Sequence, residues 1–350
     1  MNEKELQTNN YSCKNCGGTL YFDAQTQNLK CQKCSTTYPI KKQRTFKKHT
    51  VQTNTTLNNE HSAWVNDNKV FKCKNCGSSV IANKNEMSNT CPYCGTALTL
   101  SPSQLPGIKP DCIIPFKFNK EQASVKFAES VKRKFFVNGA FKKQLPTSKI
   151  WGTYIPSFNF DISTSSNYQG VLYDIVKGPS GTSSKDLKPI SGSLNKNYKD
   201  VLVESSSYIT QPQLKGVLPY DISGAVDYDN NFILGYTVEH YTETLETCQK
   251  IAQTTVDALI RKDILNNYSY DGVDSLTINT KYLDKQYNYA LVPIYRFEYN
   301  FKNKPYKTYM NGQTGKIDNN LPPSIPKIVM VVLLFMLFII LPIILALISD

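Results

Sequence analysis

Four C-x-x-C pairs in the first hundred residues constrain this chain more than any other feature. The segment CKNCGGTLYFDAQTQNLKCQKC begins at Cys13, and CKNCGSSVIANKNEMSNTCPYC begins at Cys73. All four cysteines recur at an offset of 60 residues, which indicates a duplicated module. Each module is too small to fold on a hydrophobic core of its own, so it needs a bound ion or another support.

The spacing within each module is that of a zinc ribbon. A C-x-x-C turn places two thiolates on one side of an ion, and the 14 residues between the pairs allow two short strands. Redox chemistry, the alternative, requires a thioredoxin-like β-α-β context that the sequence lacks. The sequence therefore predicts two structural zinc sites, closed to water and substrate. The predicted ligands are Cys13, Cys16, Cys31, Cys34, Cys73, Cys76, Cys91 and Cys94.

The start of the chain favours metal binding over disulfides. The first ten residues, MNEKELQTNN, contain no apolar stretch, so we expect no secretory signal and a reducing cytosolic environment for this region. Of the ten cysteines, Cys112 and Cys248 lie outside the pairs. Cys248 falls on the apolar face of a predicted helix and is interpreted as a core thiol.

Composition divides the chain into modules. The first break is a basic and then Thr- and Asn-rich linker, and the second is SPSQLPGIKPD, with three prolines and a glycine. The predicted units are a first ribbon at 1–40, a linker at 41–69, a second ribbon at 70–100, a linker at 101–111, a main domain at 112–324 and a transmembrane helix at 327–348.

Two helices are predicted in the main domain. FNKEQASVKFAESVKRKFF has Asn119 as its N-cap, Gln122 three positions later, and an apolar face of Ala123, Phe127, Val131 and Phe135. ETLETCQKIAQTTVDALIRKDIL is the second helix. Its predicted apolar side consists of Leu245, Cys248, Ala252, Val256, Leu259 and Ile260.

The remaining patterns predict strands. WGTYIPSFNFDISTSSNYQGVLYD alternates aromatic and polar residues and is predicted to be a two-stranded hairpin, followed by a polar loop over 177–197. DVLVES, FILGYTVEHY and VDSLTINTKY are further strand candidates, and the last antiparallel pair ends in a turn at Asn311-Gly312. Strands interleaved with two helices, without a β-α-β rhythm, predict an α+β fold with a mixed antiparallel domain.

A hydrophobic segment closes the sequence. Residues 328–348, IVMVVLLFMLFIILPIILALI, carry no charge and would extend about 31 Å as a helix, which matches a hydrocarbon core of about 30 Å. Lys316 and Lys327 precede this segment. By the positive-inside tendency, the sequence predicts a single-pass protein of the cell membrane with its N-terminal domains in the cytoplasm.

Nothing in the sequence predicts an active site. GQTGK at 312–316 lacks the spacing and the strand-to-helix context of a phosphate-binding loop and is interpreted as a hairpin turn. His49 and His61 lie in the first linker, and His240 follows a predicted strand. We therefore predict that the chain is not an enzyme, with no catalytic residues and no cofactor beyond zinc.

A net charge of +12 favours anionic partners. The run KKQRTFKK at 41–48 is the densest basic segment, interpreted as a solvated linker or as a contact to anionic lipid. Nucleic acid is the alternative partner, because zinc ribbons often serve nucleic-acid proteins. The sequence nevertheless lacks an RNP motif, a recognition helix and spaced stacking aromatics.

From about residue 110 onward the chain resembles a bacterial family with zinc ribbons of the transcription factor IIB type. The stretches that carry the resemblance are YIPSFNFDISTSSNYQG, LPYDISGAVDYDNNFILGYTVEHY and LVPIYRFEYNFKNKPYKTYMNGQTGKI. Two ribbons with a terminal membrane helix look most like the form associated with SPFH (flotillin-like) proteins and phage-shock protein A homologues. The resemblance implies a membrane-bound adaptor or scaffold that recruits such proteins during envelope stress, and it implies no catalytic residue.

Overall fold

The computed structural model describes residues 13–18, 20–51, 68–72, 77, 79–83, 89–90, 97–98, 109–144, 149–178, 183–206, 211–239, 241, 243–318 and 320–348. For the strands between 68 and 98, and for 340–348, the description is of the backbone alone.

The first module is a three-stranded antiparallel sheet. Its strands are β1 (Leu20–Asp23), β2 (Asn28–Cys31) and β3 (Thr37–Tyr38). Asp23 stabilises the turn between β1 and β2, because its carboxylate accepts hydrogen bonds from the Gln25 backbone N–H and the Thr26 hydroxyl. Gln27, the last residue of this turn, has a left-handed backbone conformation with φ 58°.

Five short strands follow along the chain. They are β4 (His49–Thr50), β5 (Asn68–Lys72), β6 (Ser79–Asn83), β7 (Asn89–Thr90) and β8 (Ala97–Leu98). Strands β5 and β6 form an antiparallel hairpin, and β7 pairs with β8.

The main domain combines a large sheet with a few helices. Its strands are β9 (Cys112–Ile113), β10 (Lys149–Lys177), β11 (Ser183–Glu204), β12 (Val226–Asp227), β13 (Thr237–Glu239), β14 (Gly272–Phe301) and β15 (Lys304–Asn311). Its helices are α1 (Lys120–Arg133), α2 (Gly139–Gln144), α3 (Gln211–Val217), α4 (Leu245–Leu265) and α5 (Ile325–Ile348).

Ten of the described strands form one mixed sheet. Its main path runs β12-β9-β14-β10-β13-β6-β5, while β11 pairs with β10, and both β15 and β4 pair with β14. Most pairings are antiparallel, and β10 with β13 and β14 with β9 are parallel. The predicted mixed α+β domain is confirmed, and the second module contributes β5 and β6 to its sheet.

Helix α1 begins as predicted and ends earlier. Asn119 and Gln122 form a reciprocal capping box, in which each side chain accepts from the other residue's backbone N–H. Ala123, Phe127 and Val131 are buried against the sheet. Phe135 was placed wrongly on this face, because the helix stops at Arg133 and the Phe135 side chain is 53% exposed.

The predicted hairpin over 151–174 and the polar loop over 177–197 were wrong. Residues 149–177 form the single strand β10, and most of the polar segment is strand β11, paired with β10 from Ser183 to Glu204. Polar side chains suit this part of β11, since most of them are exposed while the backbone is hydrogen-bonded. Gly170 allows β14 to approach closely, because a Cβ atom there would lie 2.3 Å from the Ser275 backbone oxygen.

Two other segments differ in part from the prediction. FILGYTVEHY begins in the 3₁₀ helix Asn230–Ile233, and Gly235 at φ 85° separates this helix from the short strand β13. Helix α4 is confirmed with Cys248, Ala252, Val256 and Ile260 fully buried, whereas Leu259 is 37% exposed. The turn after Asn311 is also confirmed, since the Gly315 N–H donates to the Asn311 oxygen.

The C-terminal segment forms helix α5. Its side chains are described as far as Ile339, and those at 328–339 are between 38% and 78% exposed. In the described part of the chain, no helix meets both the length and the apolarity that crossing a membrane requires. The transmembrane span therefore stays a prediction.

Candidate metal centre

Four thiols of the first module converge at one end of its small sheet. Cys13 and Cys34 have their sulfurs 3.5 Å apart, and the sulfurs of Cys16 and Cys31 are also 3.5 Å apart. All four sulfurs lie within 4.8 Å of one another. Tetrahedral zinc with Zn–S bonds of about 2.3 Å holds its sulfurs about 3.8 Å apart, so the spacing of this cluster is compatible with zinc.

Local backbone geometry produces the cluster. In the first turn the Gly17 N–H donates to the Cys13 oxygen at 2.8 Å, with Gly17 in the left-handed region at φ 70°. In the second turn the Ser35 N–H donates to the Cys31 oxygen at 3.1 Å, and Ser35 adopts φ 59°. The second turn thus has the conformation of the first, although a serine replaces the favoured glycine.

Two side chains that the sequence analysis did not single out contact the thiols. The Tyr38 hydroxyl lies 3.3 Å from the Cys13 sulfur, and the Thr36 hydroxyl lies 3.1 Å from the Cys34 sulfur. The hydrogen bond from Thr36 lowers the pKa of Cys34 to about 6, and the Tyr38 hydroxyl lowers the pKa of Cys13. Both contacts favour the thiolate form, which is the form that binds metal.

The cysteines of the second module, Cys73, Cys76, Cys91 and Cys94, lie outside the described residues. The backbone around them follows the first module at the same offset of 60 residues. Gly77 has φ 74° where Gly17 has φ 70°, and β6, β7 and β8 fall at the positions of β1, β2 and β3. The repeat seen in the sequence is therefore also present in the described backbone.

The first module packs against the main domain. The Phe22 N–H donates to the Leu234 oxygen at 2.9 Å, and the rings of Phe22 and Phe232 meet edge to face at 5.3 Å. At the other end of the β1–β2 turn, the Gln27 side chain donates to the Phe116 oxygen. The candidate metal centre is consequently fixed to the main domain through its own hairpin.

The basic run at 41–48 also contacts the main domain, so it is not a free linker, although most of its side chains are exposed to solvent. The Asp227 carboxylate accepts hydrogen bonds from the Thr45 N–H, the Thr45 hydroxyl and the Phe46 N–H. Lys48 forms an ion pair with Asp161 at 2.6 Å, and β4 pairs with β14 directly after the run. The sequence lacked a local pattern for this docking, because the acceptors lie far along the chain.

The other residues considered at the sequence level lie apart from this centre. His49 donates from Nε2 to the Asp111 carboxylate at 2.8 Å, while His61 and His240 are outside the described residues. Cys112 and Cys248 are fully buried, and burial raises the pKa of each thiol to about 12. Within the described residues, the four cysteines of the first module are the one group of three or more potential ligands close enough to hold a metal.

Comparison with known proteins adds one relative. No family model matches the chain, and no solved structure is similar to it. The chain is 24% identical over 328 residues to "Uncharacterized protein YdjG" of Bacillus subtilis (strain 168), a match that covers 91% of each chain. The chain is thus similar over nearly its whole length to a bacterial protein of comparable size.

Proposed function

We propose that this chain is a membrane-bound zinc-ribbon adaptor that binds protein partners at the cytoplasmic face of the cell membrane. The observation that carries the proposal is the way the four-cysteine centre is built. Four thiolates saturate zinc and leave no position for a substrate, so the metal supports a structure rather than a reaction. The first module is then a rigid surface that contacts the main domain through Phe22 and Gln27.

The proposal includes a second zinc ion held by Cys73, Cys76, Cys91 and Cys94. Its support is the identical cysteine spacing, together with the backbone correspondence at Gly77 and at strands β6 to β8. The pairing of β6 with β13 would fix the second ribbon to the large sheet of the main domain, which the first ribbon also contacts. Two structural ions per chain are therefore expected.

The membrane anchor in this proposal is helix α5. Its support is the uncharged sequence of 328–348 and the exposure of every described side chain from Ile328 to Ile339. An apolar surface of this size is unfavourable in water and favourable in lipid. The anchor would hold the main domain close to the bilayer, with the two ribbons available to partners.

The expected partners follow from the family resemblance and are SPFH (flotillin-like) or phage-shock protein A-like proteins in an envelope-stress module. The described sheet offers a physical route for such contacts. Strand β5 ends the main path of the sheet, and an edge strand can pair with a strand of another protein.

A membrane-tethered regulator that binds nucleic acid is the alternative function. It would depend on the basic run, whose cations are Lys41, Lys42, Arg44, Lys47 and Lys48. The docking of this run argues against it, because Lys48 is paired with Asp161 and Arg44 donates to the Ser223 oxygen. Lys41, Lys42 and Lys47 remain exposed, so only these three lysines of the run would be available to bind nucleic acid.

The test is purification of the tagged full-length protein from crosslinked native membranes, with mass spectrometry and a nucleic-acid assay on the same eluate. The adaptor predicts enriched membrane-associated proteins that are lost when residues 13–38 or α5 are deleted. Nuclease-sensitive nucleic acid without specific protein partners would instead favour the regulator.

A further inference from the structure

The loop that follows α1 is fixed to the base of the C-terminal helix. The Ser324 N–H donates to the Phe136 oxygen at 2.7 Å, and the Asn138 N–H donates to the Pro322 oxygen at 2.9 Å. Lys327, in the first turn of α5, donates from Nζ to the Phe135 oxygen at 3.1 Å. Residues 135–138 therefore lie where the main domain meets the proposed membrane helix.

Two phenylalanine side chains on this loop point away from the core. Phe135 is 53% exposed and Phe136 is 49% exposed, while the neighbouring Val137 is buried. The two rings meet edge to face at 5.2 Å, and the Lys327 ammonium lies 4.7 Å from the centre of the Phe135 ring. Exposed phenylalanines can insert their apolar rings into the interfacial region of a bilayer, and a neighbouring lysine can keep its ammonium group in water.

A basic cleft is connected to these aromatics through Arg133 and Lys134, which line it and immediately precede Phe135. It is open to solvent, has a volume of about 490 Å³, and is lined by the cationic side chains of Arg133, Lys134, Lys215 and Lys316. Among the described residues, no carboxylate lines this cleft, although the largely buried Asp318 carboxylate interacts with Lys134. Four cations around one concave surface attract a multiply charged or phosphate-bearing anion.

Two of these cations are held in place by the backbone. Lys134 donates from Nζ to the Asp318 oxygen at 3.1 Å, and Lys316 donates to the Leu218 oxygen. Arg133 and Lys215 are exposed and carry no such restraint in the described hydrogen bonds. The cleft thus combines two cations bound to the backbone with two exposed cationic side chains that can reach a phosphate.

We propose that this cleft binds the phosphate headgroup of an anionic phospholipid, while Phe135 and Phe136 enter the surface of the same bilayer. The position of the cleft favours a lipid over a soluble anion. Arg133 and Lys134 immediately precede Phe135, so a headgroup that reached them would belong to a lipid beside α5. The proposal rests on the proposed anchoring by α5 and extends it to lipid selectivity.

The site is tested on the full-length protein in detergent by native mass spectrometry, with phosphatidylglycerol and phosphatidylcholine as the added lipids. The wild-type protein is expected to retain phosphatidylglycerol at least about tenfold better than phosphatidylcholine, since each basic residue near a headgroup contributes measurably to anionic lipid binding. The variant R133Q/K215Q/K316Q is expected to lower this preference to about twofold or less.

The matched control is K177Q/K199Q/K281Q, which removes the same charge from exposed positions on the long strands. It should keep the wild-type preference. If the control loses its preference for phosphatidylglycerol to the same extent, the preference reflects net charge and the proposed site is wrong. An unchanged preference in R133Q/K215Q/K316Q would also show that the site is wrong. Displacement of phosphatidylglycerol by millimolar inorganic phosphate would also overturn it, in favour of a soluble anion.

Anchoring is measured separately, by flotation of the same proteins with vesicles of pure phosphatidylcholine. Wild type, the cleft variant and the control should all float, because α5 needs no anionic lipid to insert. Failure of wild type to float would contradict the proposed anchor, whereas the detergent measurement would still decide the headgroup site.

Discussion

Gln27 and Phe116, 89 positions apart in sequence, are joined by a hydrogen bond of 2.7 Å from the glutamine Nε2 atom to the phenylalanine backbone oxygen. The same Nε2 atom also donates to the Ala24 oxygen, so it closes the turn of the first ribbon and connects that turn to the main domain. Phe116 in turn stacks on Tyr236 with ring centres 4.1 Å apart. A change at the metal centre is therefore expected to affect packing beyond the ribbon.

The first prediction concerns zinc content and the ribbon interface. We expect C31S to reduce bound zinc from two ions per chain to one, because three thiolates hold the ion much less tightly than four. The contact of Phe22 with Phe232 should then weaken, since the ribbon has no core of its own that would keep its hairpin folded without the ion. Elemental analysis of the purified protein, together with its thermal midpoint, provides the measurement.

C248A serves as the control for this experiment. Cys248 is buried in helix α4, far along the chain from both cysteine modules, so both ions should remain bound. A C31S protein that kept two ions would contradict the assignment of Cys31 as a ligand.

The second prediction concerns the docked basic run. D227A removes the acceptor of three hydrogen bonds from Thr45 and Phe46, and it should release residues 41–48 from the domain. We expect trypsin to cleave this run on the order of tenfold faster, because proteases require locally opened backbone. D274A, which removes a half-exposed partner of Lys185, should leave the cleavage rate unchanged. Rapid cleavage of wild type at the same bonds would argue that the run is undocked.

The third prediction concerns pH. Burial raises the pKa of Asp318 from 3.8 to about 6, with its backbone hydrogen bonds and Lys134 acting in the opposite direction. The folded protein therefore binds more protons than the unfolded chain between about pH 4 and pH 6, so this group adds stability as the pH falls through that window. Above pH 6 the buried carboxylate is charged and this contribution is lost.

We expect D318N to stabilise the protein above pH 6 by on the order of 2 kcal/mol. The variant should also show a smaller difference in stability between pH 4.5 and pH 7.5 than wild type. The measurement is thermal unfolding of full-length wild type and variant in detergent at both values. D284N, at an exposed carboxylate that contacts Gln286, should follow the wild-type pH profile. A D318N protein that is less stable than wild type at pH 7.5 would show that the charge is needed.

The fourth prediction concerns the start of helix α1. N119A removes the side-chain acceptor of the Gln122 N–H at 2.8 Å and leaves the backbone oxygen of residue 119 in place. Loss of such a cap should lower the free energy of unfolding by about 1 kcal/mol. Denaturant unfolding measures this change, and N119D, which retains an acceptor, should recover most of it.

Local patterns alone were enough to predict the first metal centre and two helices. The spacing Cys13, Cys16, Cys31 and Cys34 is short-range information, because two turns and a hairpin bring these thiols together whatever follows. Asn119 with Gln122 defines the start of α1, and the period of Cys248, Ala252 and Val256 defines the buried face of α4. Such features depend on neighbours within a few turns of the chain.

Only the tertiary structure decided how far the strands extend and what the linker does. The polar segment of β11 is a strand because β10 supplies its hydrogen-bond partners, and the register of β10 with β14 continues from Lys149 to Tyr173. Residues 41–48 dock because Asp227 and Asp161 lie opposite them in the folded sheet. The β10–β11 partners lie up to 47 positions apart, and the contacts of the basic run with Asp227 and Asp161 span more than a hundred positions. The stability of such pairings depends on distant partners, which a local hydrophobic pattern does not reveal.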